Sequence, residues 1–238
     1  MDKLYIIIPA YNEEMNIYSV AKEWHEVISE FGSTGSKLVI IDDGSKDKTY
    51  NILCKLKKNL PLLEPLTKIN SGHGPTCLYG YHYAIENNAD YIFQTDSDGQ
   101  TLPSEFRQFW EQRKEYSAII GYRKRRQDGI SRIFVTKVLK LVLKIIFGLN
   151  IPDANTPYRL MDSQILKKHL KKMPENFSLA NILLTVSLMN AKENISFIPI
   201  TFRPRQGGIN SINIKKIIKI GIKAIKDFYS VKRIFNNE

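Results

Sequence analysis

Cysteine is scarce in this 238-residue chain: only Cys54 and Cys77 occur, far apart and without metal-ligand spacing. Neither a disulfide framework nor a zinc site is expected, and a reducing compartment is the natural one. Long apolar runs are missing too. No stretch approaches the roughly 18 uninterrupted apolar residues of a membrane span, so the expectation is a soluble or peripheral protein rather than an integral one. Met1-Asp2-Lys3 runs straight into a strand pattern without signal-peptide anatomy. Glycine-rich phosphate loops are also absent. No G-x-G-x-x-G follows the first strand pattern and no G-x-x-x-x-G-K-[ST] occurs anywhere, which argues against an ordinary dinucleotide-binding unit. There is no internal repeat, low-complexity tract or Gly/Ser linker, and the 43% hydrophobic content suffices for one full core.

Basic residues are what the chain has in excess: 35 Lys and Arg against 24 Asp and Glu give a net charge of +11. Such a balance points to an anionic partner, which could be a nucleotide, an acidic membrane surface or nucleic acid. No aromatic-basic stripe of RNA-binding type is visible, so nucleic acid is not the expected partner.

Along the chain, short apolar runs alternate with helical patterns. Leu4 to Ile8 reads as a buried parallel strand broken at Pro9-Ala10-Tyr11-Asn12, and Glu13 to Phe31 as a helix stopped by Gly32. Lys37 to Ile41 is a second strand, ending in Asp42-Asp43-Gly44-Ser45, with a helix from near Asp47 and Thr49. Leu66 to Ile69 is a weaker third, followed by Asn70 to Pro75 and a helix through Ala84 to Asn88. A fourth strand ends at Thr95, a helix begins near Pro103, and Ser117 to Gly121 is a fifth strand. This alternation predicts an α/β fold with a mostly parallel sheet and helices on both faces. Beyond it come a basic loop, Tyr122 to Gly129, and a helix over Ile130 to Phe147. A polar loop, Pro152 to Arg159, precedes a buried helix from Ser178 to Ala191 and a strand from Ile195 to Phe202.

The chemistry-bearing stretch is Asp96-Ser97-Asp98-Gly99-Gln100, directly after the fourth strand and before Pro103. Asp96, Asp98 and Gln100 are alternate residues, so in an extended segment they share one side and offer hard oxygen ligands suited to Mg²⁺ or Mn²⁺. The alternative is a turn whose carboxylates cap the helix at Pro103.

Several motifs then occur in a fixed order. They are Ile8-Pro9-Ala10-Tyr11-Asn12-Glu13; Asp42-Asp43-Gly44-Ser45 with Asp47 and Thr49; Asn70 to Gly74 with Gly80 and Ala84; and Asp96 to Gln100 with Pro103. Gly121-Tyr122-Arg123 with Asp128-Gly129 and Arg132 follows, then Asp153 with Pro157-Tyr158-Arg159, then Pro199 to Arg205 with Gly208 and Ser211. In this the chain resembles the family 2 glycosyltransferases of GT-A fold, and among them the dolichyl- and polyprenyl-phosphate sugar synthases, over about Lys3 to Ser211. The resemblance departs at the R-x-x-G-x-S-K motif, where Asn213 stands near the expected lysine, and at the missing Q-x-x-R-W of processive relatives.

The resemblance implies a GT-A domain over 1–212, with a nucleotide-binding half at 1–121 and an acceptor half at 122–212. It assigns the metal to Asp96, Asp98 and Gln100. Donor nucleotide falls to Pro9, Tyr11, Glu13, Asp42, Asp43, Gly72 and Asp96, and acceptor phosphate to Arg123, Arg132, Thr136 and Arg203, with Arg205 an alternative to Arg203. Catalysis falls to Asp98, Asp153 and Arg123; Asp153 matches a base candidate of alcohol-accepting relatives, and its alternatives here are to orient the acceptor or merely to hold Arg159. Gly72 and Gly74 are expected to permit close backbone approach, and His73 between them to face solvent, with contact to donor phosphate the alternative. The implied reaction is inverting transfer of a hexose from a UDP- or GDP-sugar to polyprenyl phosphate, whose phosphate is already an anion and needs no strong base. A hydroxyl acceptor in surface-glycan or glycolipid synthesis is the runner-up. A non-catalytic lipid- or nucleic-acid-binding module on a transferase scaffold is a third reading.

Residues 213–238 form the remaining segment. Ile214, Ile217, Ile218, Ile225, Phe228 and Tyr229 share one helical face opposite Lys215, Lys216, Lys219, Lys223 and Lys226, the pattern of a basic amphipathic helix lying on anionic lipid. Packing of that face on the domain or on a partner is the alternative. The expected location is peripheral, on the cytoplasmic face of a membrane, with room for an integral-membrane partner.

Overall fold

The computed structural model describes residues 2–123 and 130–204, with Phe228 and Lys232, and for 130–137 the helical backbone alone. Seven strands form one sheet: β1 (Leu4–Ala10), β2 (Lys37–Asp42), β3 (Leu63–Thr67), β4 (Tyr91–Gln94), β5 (Ala118–Arg123), β6 (Arg159–Asp162) and β7 (Ile195–Ile200), in the order β3-β2-β1-β4-β6-β5-β7. Pairing is parallel except at β6, which runs antiparallel to both β4 and β5. The predicted mostly parallel sheet is therefore present. β6 and the helix after it were not foreseen, because Arg159-Leu-Met-Asp162 is short and opens on an arginine. β3 lies at 63–67 instead of 66–69, and Leu63, its fully buried residue, is its first.

β1 shows why the sheet sits in the middle. All seven of its residues are buried, and alternate side chains serve two cores. Tyr5 and Ile7 join Val39, Ile41 and Ile92 on one face, while Leu4, Ile6 and Ile8 join Leu38, Ile40 and Phe93 on the other. The first face is covered by α3 (His73–Glu86), α5 (Ile130–Phe147), α6 (Ser163–Leu170) and α7 (Ala180–Asn190). The second is covered by α1 (Ile17–Phe31), α2 (Thr49–Leu56) and α4 (Phe106–Glu111), the last preceded by a 3₁₀ turn at Pro103–Glu105.

Gly32 ends α1 as expected, though with extended backbone (φ −77°); a side chain there would meet Ile28 O at 2.6 Å and Ser36 Cβ at 2.7 Å. α6 is capped by Asp162, whose carboxylate accepts from Gln164 N at 2.9 Å and Ile165 N at 3.0 Å. Beneath the end of β4, Phe93 packs edge-on to Phe106 and Tyr158, with ring centroids 4.9 and 4.7 Å away, and Trp24 closes the cluster. The proposed 213–238 helix falls outside the described residues except for Phe228 and Lys232; Phe228 is buried with its ring 6.1 Å from those of Phe147 and Phe177. That one member of the apolar face packs on the domain.

Candidate active site

β1 is followed in the chain by β2 on one side, and β4 lies on its other side, so the sheet reverses its winding between β1 and β4. A crevice opens at the carboxyl ends of strands at such a point, and ligands of open α/β sheets bind there. The Pro9-to-Glu13 turn, the Asp42-Asp43 turn and the Asp96-to-Gln100 turn all leave the sheet at this end.

The Asp96-to-Gln100 turn is held at its base by Thr95 Oγ1 and Thr101 Oγ1, 2.7 Å apart. Ser97 is buried and donates to Pro9 O at 2.9 Å, whereas Asp96 and Asp98 on either side of it are partly exposed. Asp96 and Asp98 are thus the exposed carboxylates of the turn, one on each side of the buried serine. They do not cap the helix at Pro103, since neither the 3₁₀ turn nor α4 has a side-chain cap. Asp98 Oδ1 accepts from Gln100 N at 3.1 Å across Gly99, whose φ of +71° suits glycine.

Gln100 is tied to Arg203 through its amide nitrogen and its backbone. Its Nε2 donates to Arg203 O at 2.9 Å, Arg203 N donates to Gln100 O at 2.9 Å, and Arg203 Nε donates to Gly99 O at 2.5 Å. Arg203 thus belongs to the carboxylate turn, with its Nη2 on Glu23 Oε2 at 3.2 Å.

Asp96 Oδ1 lies 2.9 Å from His73 Nε2, on the first turn of α3. His73 is thus placed against a site carboxylate, a role that sequence spacing hides because the two are 23 residues apart. Its side chain is 49% exposed, so it faces solvent as expected; the cost of desolvating the charged ring is outweighed by the Cys77 sulfur and the Asp96 carboxylate, which hold its pKa well above the ordinary value. Gly74 does permit a close approach: a side chain there would meet Phe177 O at 2.2 Å. Gly72 instead supplies a φ of +93° with open space around it.

Asp42 and Asp43 are buried. Asp42 accepts from Thr67 Oγ1 at 2.9 Å and from Ser45 N at 3.3 Å. Asp43 accepts from Gly72 N at 2.8 Å, Ser71 N at 3.0 Å and the Lys68 ammonium, so it organises the loop after β3. Glu13 is buried and accepts from Asn16 Nδ2 at 2.8 Å, while Tyr11 stands 40% exposed at the crevice rather than in the core.

Across β6, Asp153 receives Arg123 Nε at 2.7 Å and Nη2 at 3.0 Å in a bidentate pair with side chains only 9% and 6% exposed. The guanidinium also stacks 5.0 Å from the Phe202 ring. Arg159 does not pair with Asp153. Arg132 and Thr136 lie on α5, and their side chains, like Arg205, fall outside the described residues.

Among the described residues no three His, Cys, Asp or Glu gather into a metal cage. Two neighbouring carboxylates fit a smaller task. Mg²⁺-type ions commonly take one or two protein carboxylates and complete their shell with substrate phosphates and water.

A model described as glycosyl transferase family 2 matches residues 5–170. The chain is 26% identical over 232 residues to the uncharacterized glycosyltransferase YkcC of Bacillus subtilis (strain 168), covering 94% of this chain and 67% of that protein. It is 26% identical over 223 residues to the UDP-N-acetylglucosamine-dolichyl-phosphate N-acetylglucosaminyltransferase of Methanococcus voltae, covering 84% and 85%. Glucosyl-3-phosphoglycerate synthase from Mycobacterium tuberculosis, in complex with Mn²⁺, UDP and phosphoglyceric acid, superposes with a TM-score of 0.74 at 14% identity, covering 97% of this chain and 78% of that one. The likeness is one of fold, the GT-A fold.

Proposed function

The chain belongs to glycosyl transferase family 2, and from that premise we propose that it transfers a hexose, with inversion, from a UDP- or GDP-sugar to polyprenyl phosphate at a membrane surface. The observation that carries the reading is the exposure of Asp96 and Asp98 on the turn at the β1/β4 crevice, with Arg203 clasped to that same turn and Arg123 at the end of β5. Asp96 and Asp98 would hold the Mg²⁺ or Mn²⁺ ion. Bound there, the ion would neutralise charge on the departing diphosphate. The base and ribose fall to the Pro9–Glu13 and Asp42-Asp43 turns. Asp43 is an acceptor suited to a base N–H or a ribose hydroxyl.

A phosphate acceptor is favoured over a hydroxyl one by the state of Asp153. A hydroxyl must be deprotonated, yet both oxygens of the carboxylate best placed for that role face the Arg123 guanidinium. A phosphate monoester arrives already ionised and needs cations, a role that falls to Arg123 and Arg203. No described helix is long and apolar enough to cross a membrane. On α5, Val138, Leu141 and Ile145 are exposed (41, 58 and 68%) at helical spacing beside exposed Lys140 and Lys144. Such a stripe supports attachment to an anionic lipid surface.

The test is a screen of radiolabelled nucleotide sugars with Mn²⁺ or Mg²⁺ and undecaprenyl or dolichyl phosphate, reading butanol-extractable label. Label that appears with the wild type and vanishes with Asp98→Asn is the expected result. Label that appears only with hydroxyl acceptors would replace this reading with the glycan or glycolipid alternative.

A further inference from the structure

Arg159 is a charged side chain that the fold hides completely, at 0% exposure. Burial draws its pKa down from the ordinary value, but a guanidinium stays protonated in proteins. Buried charges are normally matched by an opposite charge in contact. Arg159 instead spends its donors on neutral acceptors. Nε and Nη2 reach Thr156 O at 3.2 and 2.7 Å, Nη2 approaches Ala154 O at 3.4 Å, and Nη1 reaches Asn181 O at 3.0 Å and Thr185 Oγ1 at 3.3 Å. Asp153 and Asp96 act on it only through space.

The bonds divide by direction. One edge of the guanidinium holds the turn at Ala154–Thr156 and the other holds the first turns of α7. The turn begins at Asp153, which fixes Arg123 against Phe202. Arg159 also faces Gln94 across the β4–β6 register, two residues before Asp96. The clamp is therefore anchored to the strand that delivers the carboxylates.

We infer that Arg159 is a positioning residue: by tying the Ala154–Thr156 turn to α7 it sets the Asp153–Arg123 pair for the acceptor's phosphate. This rests on the acceptor reading given above. The fork is required and the charge alone is insufficient, because a lysine ammonium is a point donor that cannot hold two opposed edges at once.

The experiment compares Arg159→Lys, Arg159→Met and Thr185→Val in the full chain. Thr185→Val is the mild variant, removing one acceptor of the clamp from a helix that remains packed. Acceptor and donor KM are measured separately, and hydrogen exchange is followed over 153–158. Both Arg159 variants are expected to raise acceptor KM on the order of tenfold, the scale of one or two lost charged hydrogen bonds, and to speed exchange in 153–158. Donor KM should stay within about twofold, and Thr185→Val should shift acceptor KM the same way by less. Wild-type acceptor KM in Arg159→Lys, or donor and acceptor KM rising together, would overturn the clamp. If the Arg159 variants fail to fold, an unchanged acceptor KM in Thr185→Val overturns it. If the wild type transfers nothing to polyprenyl phosphate, the acceptor reading falls, and exchange decides the clamp: unaltered protection over 153–158 in Arg159→Met refutes it.

Discussion

Asp153→Asn removes one negative charge from a contact that the fold has almost closed to water. The native pair is bidentate at 2.7 and 3.0 Å, with side chains 9% and 6% exposed. The substitution keeps the shape and leaves the Arg123 guanidinium half-matched in a low-dielectric pocket. Breaking a buried pair from one side costs about 3–5 kcal/mol, far more than the roughly 0–1 kcal/mol of a surface pair. Set against a total stability of about 5–15 kcal/mol, that is a large share. In a chain of this size it corresponds to a fall of roughly 6–20 °C in Tm. Urea denaturation with a double-mutant cycle through Arg123→Gln is the assay. The double variant should recover about 0.5–3 kcal/mol relative to the sum of the single ones, because the Arg123 charge is then removed as well. A single-variant loss under about 1 kcal/mol, with no coupling, would refute the view that this pair is buried and mutually dependent. Turnover measured on the same variant separates two chemistries. With an anionic acceptor, Asp153→Asn should retain far more transfer than Asp98→Asn. Equal losses would mean that Asp153 removes a proton.

His169 is buried against Ser187 and Glu193, and burial first of all lowers its pKa below 6.5 despite the Glu193 bond. The unfolded chain then binds the proton more readily, so this group costs nothing at pH 7 and above and destabilises progressively as pH falls below about 6.5; His169→Gln should flatten the stability–pH curve between pH 6.5 and 5, and an unchanged slope would be contrary. Gly80→Ala should destabilise although alanine favours helix, because its Cβ would sit 2.4 Å from Ile7 Cγ2 and 2.7 Å from Ile41 Cδ1. About 1–3 kcal/mol of overpacking exceeds the roughly 1 kcal/mol gained in propensity, so a higher unfolding midpoint would contradict the packing. Leu141→Glu with Ile145→Glu should leave thermal stability nearly unchanged, as both residues are exposed, while abolishing flotation with anionic liposomes; retained flotation would discard α5 as the attachment surface.

Much of the fold was legible because its central strands are buried on both faces and hold unbroken apolar runs, Leu4 to Ile8 and Leu38 to Ile41. β1 and β2 announce themselves in this way, and the acidic turns after β2 and β4 follow from where those strands stop. β6 was not legible, since four residues opening on a buried arginine carry no periodicity. Asp96 and Asp98 were readable as a pair from spacing alone. The engagement of Gln100 with Arg203, of His73 with Asp96 and of Asp43 with the loop after β3 were not. Each depends on residues 23 to 103 positions apart being brought together by the sheet. Asp153 shows the same limit: the nearby Arg159 is the local candidate, while the pairing of β5 with β6 brings Arg123 from 30 residues away.

The clasp between the carboxylate turn and the strand that ends the sheet has a bearing on how the protein is made. Arg203 grips Gly99 and Gln100, and Phe202 bridges to Thr101, so the turn is completed by residues that leave the ribosome about a hundred positions later. A nascent chain that has already exposed β1 to β4 therefore holds its acidic loop without the restraint that shapes it. Contacts of such long sequence separation are slow to close. Synthesis of the residues just past β7 is thus the event that finishes the site, and a truncation before Arg203 leaves the carboxylates present but unfastened.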